Sequence, residues 1–152
     1  MGKISIIAVT IVFAGITLGP RPGSADVALA IGVAPGGVSH GWVWGAAWGD
    51  DASDAQTKAL KTCQGILTEN NAIPPNASKA QRACKIIGTY VNKCFAVASN
   101  GQRTVPATGM GWDIAPDSRT AATRAVAKCE ATPGKVGPPC VIQGSHCDGS
   151  AK

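Results

Sequence analysis

The side chains best suited to chemistry in this chain of 152 residues are its six cysteines and two histidines. A cysteine nucleophile needs a free thiolate, and a serine nucleophile needs a histidine base within reach. The nearest match to a Gly-x-Ser-x-Gly nucleophile turn is Gly144-Ser145-His146, which lacks the strand-to-helix elbow. We therefore predict that the chain is not an enzyme. A small envelope-directed hydrolase, with His40 or His146 as the base, is the alternative.

The cysteines and glycines are not spaced as a metal or cofactor site requires. Structural zinc sites typically place two cysteines in a short Cys-x2–4-Cys knuckle, whereas neighbouring cysteines here are at least seven residues apart. The segment Gly109-Met110-Gly111 has no third glycine for a phosphate-binding loop. We predict no metal and no cofactor.

The N-terminus decides whether the cysteines can form disulfides, because disulfides persist in oxidising compartments. Lys3 precedes fifteen uncharged residues from Ile4 to Leu18, and small residues at Gly23–Ala25 suit a cleavage site. The apolar stretch is shorter than the roughly 20 residues of a membrane span. We predict a secretory signal peptide over 1–25 and a single mature domain over 26–152. The mature domain is expected to be secreted or periplasmic, without stable membrane insertion.

The charge balance argues against nucleic acid as a partner. The whole chain has a net charge of +5, from 14 basic and 9 acidic residues. The predicted signal peptide contains Lys3 and Arg21 and no acidic residue, so the mature chain has a net charge of +3. Its basic residues are scattered, whereas nucleic-acid binders collect them on one face or element.

Two stretches of the chain contain the same series of features, which predicts an internal repeat. Each has an alternating apolar run, a turn, a Gly/Trp segment, a helical stripe and a cysteine before a β-branched run. The helical stripes, 66 residues apart, are Ala55, Ala59, Cys63 and Ala121, Ala125, Cys129. We predict an α+β domain of two pseudo-symmetric strand-turn-strand-helix-strand units, about 26–91 and 92–147. An antiparallel-rich sheet carries the two helices, and the sequence leaves open whether the halves share it.

The repeat also predicts how the cysteines pair. Each unit has one cysteine at the end of its helix and one at the start of its last strand, and equivalent cysteines should form equivalent bridges. The two remaining cysteines then join each other. The predicted disulfides are Cys63–Cys84, Cys129–Cys140 and Cys94–Cys147. They would supply covalently the contact that helices with alanine stripes make only weakly.

The order of these features resembles the bacterial domain-of-unknown-function family numbered 4189. The resemblance is carried by the Gly/Trp segment, the Ala-rich helix ending in cysteine and the Asn92-x-Cys94 segment, and it covers nearly all of 26–147. It implies an exported, disulfide-bearing α+β domain of mostly bacterial origin, with no established catalytic or binding residues. The chain departs from the family pattern in the extra segment Gly45–Asp50 and the long stretch 68–83.

The four tryptophans are the main indication of function. Trp44 and Trp112 are predicted to occupy equivalent positions and to fill the core between sheet and helices. Trp42 lies two residues from Trp44 and shares its face of a strand. Trp48 belongs to the extra segment and is the tryptophan most expected at the surface, in contact with a sugar or a protein. The loop 68–83 is a further candidate for recognition.

These observations predict a small disulfide-bonded binding module, inhibitor-like or effector-like, with Trp48 and Trp42 as its candidate binding residues. Its partner is expected to be a protein or an envelope component, whose identity the sequence does not give. Besides the hydrolase, a structural wall-associated protein is a further alternative.

Overall fold

The computed structural model describes residues 26–65, 78–101, 106–149 and 151, so the predicted signal peptide and most of the loop 68–83 lie outside the described residues. The strands are β1 (Asp26–Val33), β2 (Trp42–Gly49), β3 (Lys85–Tyr90), β4 (Cys94–Ser99), β5 (Met110–Ala115) and β6 (Val141–Cys147). The helices are α1 (Ala52–Gln64), α2 (Lys79–Arg82) and α3 (Ser118–Glu130). Within the described ranges, no helix is both long and apolar enough to cross a membrane.

The strands form two separate three-stranded antiparallel sheets, in the orders β2-β1-β3 and β5-β4-β6. The predicted α+β class is confirmed, and the two halves prove not to share a sheet. The physical reason is that the central strands, β1 and β4, are each hydrogen-bonded to a neighbour of their own half on both sides. Each half has the order strand, strand, long helix, strand, and the first half adds the short helix α2 before its last strand.

The two sheets pack face to face, and one helix covers the outer face of each. Val27, Leu29 and Ile31 of β1 lie in one apolar layer with Phe95 and Val97 of β4. The alternate residues of β1 and β4 are alanines and a cysteine that face α1 and α3. The result is four layers in the order helix, sheet, sheet, helix, with the bulkiest side chains in the middle.

The tryptophans do not lie where the sequence analysis placed them. Trp44 and Trp112 pack in the layer between the two sheets, not between sheet and helices. Their equivalence is also wrong, because the register pairs Ile31 with Trp44 but Ser99 with Met110. Met110 is therefore the counterpart of Trp44. The helices leave no room for an indole, since they lie directly on the strands.

This close approach depends on strand glycines, among them Gly45 in β2 and Gly111 in β5. A Cβ atom on Gly111 would lie 2.2 Å from the carbonyl oxygen of Ala125, and one on Gly45 would lie 2.4 Å from the Cys63 nitrogen. Both distances are far below van der Waals contact. The alanine stripes therefore allow each long helix to pack directly against the strand backbone.

The three disulfides join the pairs that the sequence predicts. Two of them tie the C-terminal end of a long helix to the chain just before the last strand of the same half. The third joins Cys94 to Cys147, which are paired residues of β4 and β6. All six cysteines are described, and none is free.

Candidate functional site

A cleft of about 650 Å³ opens between the two sheets, at the end of the molecule where β2 begins. We call it the Trp42 cleft. Its walls include side chains from β2, from β4 and β6, and from the loops beside them. They include Trp42, Trp44, Ser99 and Gln143.

Trp44 forms a fixed wall of this cleft. Its ring contacts Phe95 edge-on, with centroids 5.8 Å apart and an interplanar angle of 61°. The same indole lies over Gly144 of β6, where a Cβ atom would come within 2.4 Å of the ring. Glycine at this position therefore makes space for Trp44 between the sheets. Trp42, two residues earlier on the same face of β2, lies nearer the end of the sheet and is half-buried.

Polar groups converge on the cleft from the opposite sheet. The Gln143 amide Nε2 lies 3.5 Å from the carbonyl oxygens of Ser99 and Val141, which are long hydrogen bonds. Gln143 is exposed and lines the cleft, so its amide can both donate and accept there. None of its described lining residues is charged.

Asn100 fixes the wall formed by the loops that follow β4 and precede β5. Its side chain is 3% exposed, and its Oδ1 accepts from the backbone N–H groups of Thr108 and Gly109 at 2.8 Å. Its Nδ2 donates to the Val136 carbonyl oxygen at 2.7 Å. Since Ser99 and Gly101 flank Asn100 and both line the cleft, this network positions one side of the site.

Trp48 lies at the other end of β2 and does not line the cleft. It is 44% exposed, and its ring meets that of His146 edge-on at 4.3 Å between centroids. Trp48 and Trp42 share the face of β2 turned toward the second sheet, because they are an even number of residues apart. At about 3.3 Å per residue, they are separated by roughly 20 Å along the strand.

The two histidines are exposed and lie outside the cleft lining. The Ser39 hydroxyl and His40 Nδ1 lie 3.3 Å apart, within hydrogen-bond distance. His40 itself packs against the backbone at Gly36, where a Cβ atom would come within 2.9 Å of the imidazole. In the described ranges, no carboxylate is hydrogen-bonded to His40 or His146, and no group of three potential metal ligands occurs.

The carboxylates are held in local ion pairs and helix caps. Asp113 lies between Lys128 at 2.9 Å and Arg124 at 3.8 Å. The backbone N–H and hydroxyl of Thr120 hold the pKa of Asp117 below its ordinary value, since Asp117 caps α3. The backbone N–H of Cys140, at 2.6 Å, likewise lowers the pKa of Glu130. These shifts have structural causes and do not indicate an acid/base pair.

The pKa of Tyr90 is also shifted, and the cause of this shift is again structural. Its ring lies in the apolar layer between the sheets, with its centroid 6.2 Å from that of Phe95. Burial of the phenol, together with the negative charge of Asp148, raises the pKa of Tyr90. The hydroxyl is buried without a hydrogen-bond partner among the described residues. It faces the protein interior and stays protonated.

Of the predicted binding residues, the structure places Trp42 in the cleft and Trp48 outside it. Sequence reasoning missed Ser99, which is buried, and Gln143, which is exposed, because a polar residue in an alternating strand is usually assigned to solvent and not to a cleft. Aligning the two halves strand by strand gives the missing signal, since Gln143 stands where the first half has Ile87.

The fold and the cleft define a class of protein: a small disulfide-bonded α+β module with an aromatic cleft between two sheets. Within that class, the chain belongs to the family described as domain of unknown function DUF4189, which matches residues 28–147. The resemblance noted from the sequence is thereby confirmed. No curated protein and no solved structure is significantly similar to the chain.

Proposed function

We propose that the chain is a secreted or periplasmic binding module that holds its ligand in the Trp42 cleft and performs no chemistry of its own. The cleft carries this proposal. Its volume of about 650 Å³ falls in the range of ligand pockets, roughly 300–1,000 Å³. Like those pockets, it combines aromatic walls with a few convergent polar groups.

The cysteines support the proposed compartment. All six are joined in three bridges, which is typical of secreted and periplasmic proteins. The predicted signal peptide over 1–25 points the same way. No thiol is free to act as a nucleophile, because a disulfide has no thiolate.

Trp48 is proposed as a second contact for larger partners. It is on the same face of β2 as Trp42 and keeps almost half of its surface exposed. A partner that extends along this edge of the molecule would touch both indoles. The edge-on contact with His146 holds the Trp48 ring in place for such an encounter.

A hydrolase is the second candidate, favoured by the approach of Ser39 to His40. The base in that case would act at the exposed turn Val38–His40, beside the cleft rather than within it. His146 would be the other candidate base. A hydrolase would therefore need one of these histidines as its base, whereas a binding module would not.

The test uses the oxidised mature domain, immobilised and exposed to envelope and culture-fluid fractions of the producing cells. The variants are W42A, the matched control W112A, and a histidine variant that combines H40A with H146F. Phenylalanine at position 146 removes the base but keeps a ring against Trp48. Each variant is first shown to keep its three bridges and a cooperative thermal transition.

The proposal expects at least one component that the wild type, W112A and the histidine variant retain and that W42A loses. It also expects W48A to weaken the capture of large partners. Capture that is independent of Trp42 would refute the proposal. Hydrolysis of envelope material that the histidine variant abolishes would replace it with the hydrolase.

A further inference from the structure

The two halves have the same register, so each position of the Trp42 cleft has a counterpart in the other half. Ile31 of β1 pairs with Trp44, and Ser99 of β4 pairs with Met110, which makes Ser99 the counterpart of Ile31. In each half, the pairing between the central strand and the last strand contains one register shift. It lies between Leu29 and Ala30 in β1 and between Val97 and Ala98 in β4.

These shifts fix the counterparts in the last strands. Leu29 pairs with Gly88 in the first half, and Val97 pairs with Gly144 in the second. Gly88 and Gly144 therefore correspond, and the residues before them, Ile87 and Gln143, correspond as well.

The counterpart cleft shows what the fold alone requires at these positions. It is smaller, about 430 Å³, and its lining comprises Ile31, Val33, Ala83, Lys85 and Ile87 together with Met110 and Trp112. Isoleucine thus suffices at the two positions that correspond to Ser99 and Gln143. In the Trp42 cleft, the counterpart of Ile31 is Ser99, which has a hydroxyl, and the counterpart of Ile87 is Gln143, which has an amide.

Packing therefore does not explain the hydroxyl of Ser99, and the exposed Gln143 places an amide where the other half has a half-buried isoleucine. Ser99 is only 1% exposed, and a hydroxyl beside an apolar layer is less favourable than the isoleucine of the other half. Such a replacement enlarges the cleft and adds groups that can donate and accept hydrogen bonds. We take this difference as the mark of a binding site.

We infer that the Trp42 cleft binds an uncharged carbohydrate, with a sugar ring stacked on Trp42 and its hydroxyls bonded to the exposed amide of Gln143. The inference rests on the proposed function and specifies its ligand. A pyranose ring has C–H groups on one face and hydroxyls at its edge. The C–H face suits the negative π face of an indole.

The hydrogen-bonding groups of the cleft match a sugar in kind. A sugar hydroxyl both donates and accepts, and the exposed amide of Gln143 does the same. No charged side chain lines the described part of the cleft, so nothing there would neutralise an acidic sugar or a phosphate.

A proline-rich peptide is the main competitor, because such segments dock in aromatic-lined grooves. Its backbone offers carbonyl acceptors but few N–H donors, since proline has none. It would offer few donors to the exposed amide oxygen of Gln143, whereas a sugar hydroxyl supplies one. The observed groups therefore favour the carbohydrate.

The test screens the oxidised mature domain on an array of neutral glycans built from hexoses, pentoses and N-acetylhexosamines. Maltotetraose, mannotetraose and chitotetraose are then titrated calorimetrically, with tetragalacturonate and a proline-rich decapeptide as the competing probes. The variants are W42A and Q143I, which installs the residue of the counterpart position. The matched control I87Q makes the reverse change in the other cleft.

We expect at least one neutral glycan to bind, with affinity lowered about tenfold or more in W42A and about fivefold in Q143I. I87Q should bind as the wild type does. Binding of tetragalacturonate or of the decapeptide in place of neutral glycans, or no neutral glycan bound at all, would overturn the inference. Capture of a protease-sensitive partner that still depends on Trp42 would in that case leave the proposed function standing.

Discussion

The close contact between α3 and β5 can be tested by adding a single methyl group, in the variant Gly111→Ala. The added Cβ would lie 2.2 Å from the Ala125 carbonyl oxygen and 2.3 Å from the Cys129 nitrogen. Both are backbone atoms of a regular helix, so neither can rotate away. Relief requires the whole helix to move outward by about 1 Å, since ordinary carbon contacts lie at roughly 3.5 Å.

The Cys129–Cys140 bridge opposes that movement, because it ties the end of α3 to the chain before β6. Overpacking in a close-packed interior typically lowers the free energy of unfolding by about 1–3 kcal/mol. A gap of 0.5–1 Å also forfeits about a quarter to a half of each dispersion contact. We therefore expect Gly111→Ala to destabilise the domain by about 3 kcal/mol, at the upper end of that range.

Gly88→Ala is the matched control, since it places the same methyl group on a strand glycine. Its Cβ would lie 3.1 Å from the Ile114 Cδ1 atom, the mobile end of a flexible side chain. We expect a change of less than about 1 kcal/mol, because Ile114 can adjust its rotamer. Urea unfolding of both variants, monitored by tryptophan fluorescence, measures the difference. Equal losses of stability in the two variants would refute the argument from backbone contact.

Two further predictions concern the covalent and ionic contacts. Replacing Cys94 and Cys147 by alanine should lower the free energy of unfolding by about 4 kcal/mol, and replacing Cys129 and Cys140 by about 3 kcal/mol, because the closed loops span 53 and 11 residues. Urea unfolding tests this order, and the reverse order would contradict the loop-entropy account. Glu130→Gln should be less stable than the wild type at pH 7, because the folded state lowers the pKa of Glu130 through the Cys140 N–H. That difference should fade as the pH falls through the lowered pKa, and a pH-independent difference in thermal unfolding would be inconsistent with it.

Much of the local structure follows from short-range patterns. Alanine and cysteine at every fourth position define the buried stripe of each long helix, as in Ala121, Ala125 and Cys129, all of which are buried. The matching positions of the cysteines also predict the three bridges. Both signals depend on residues close in sequence or on an order repeated along the chain.

The division into two sheets is decided only by tertiary structure. Strand alternation in β1 and β4 predicts that one face is buried, but it does not say against what. In the folded chain, Leu29 and Val97 meet in one layer between the sheets, whereas the alanines beside them meet the helices. The larger side chains lie between the sheets because the helices rest on glycine backbone at Gly45 and Gly111 and leave no space there.

The candidate site also depends on contacts that local sequence patterns do not predict. A local pattern is enough to predict that Trp42 lies on one face of a strand, since side chains alternate along an extended backbone. It does not determine that Gln143, about a hundred residues later, would face the same cleft. That proximity arises because Gly144 admits the Trp44 ring between β2 and β6, which belong to different sheets. Contacts between sheets depend on how whole layers pack, and no local pattern along the chain encodes them.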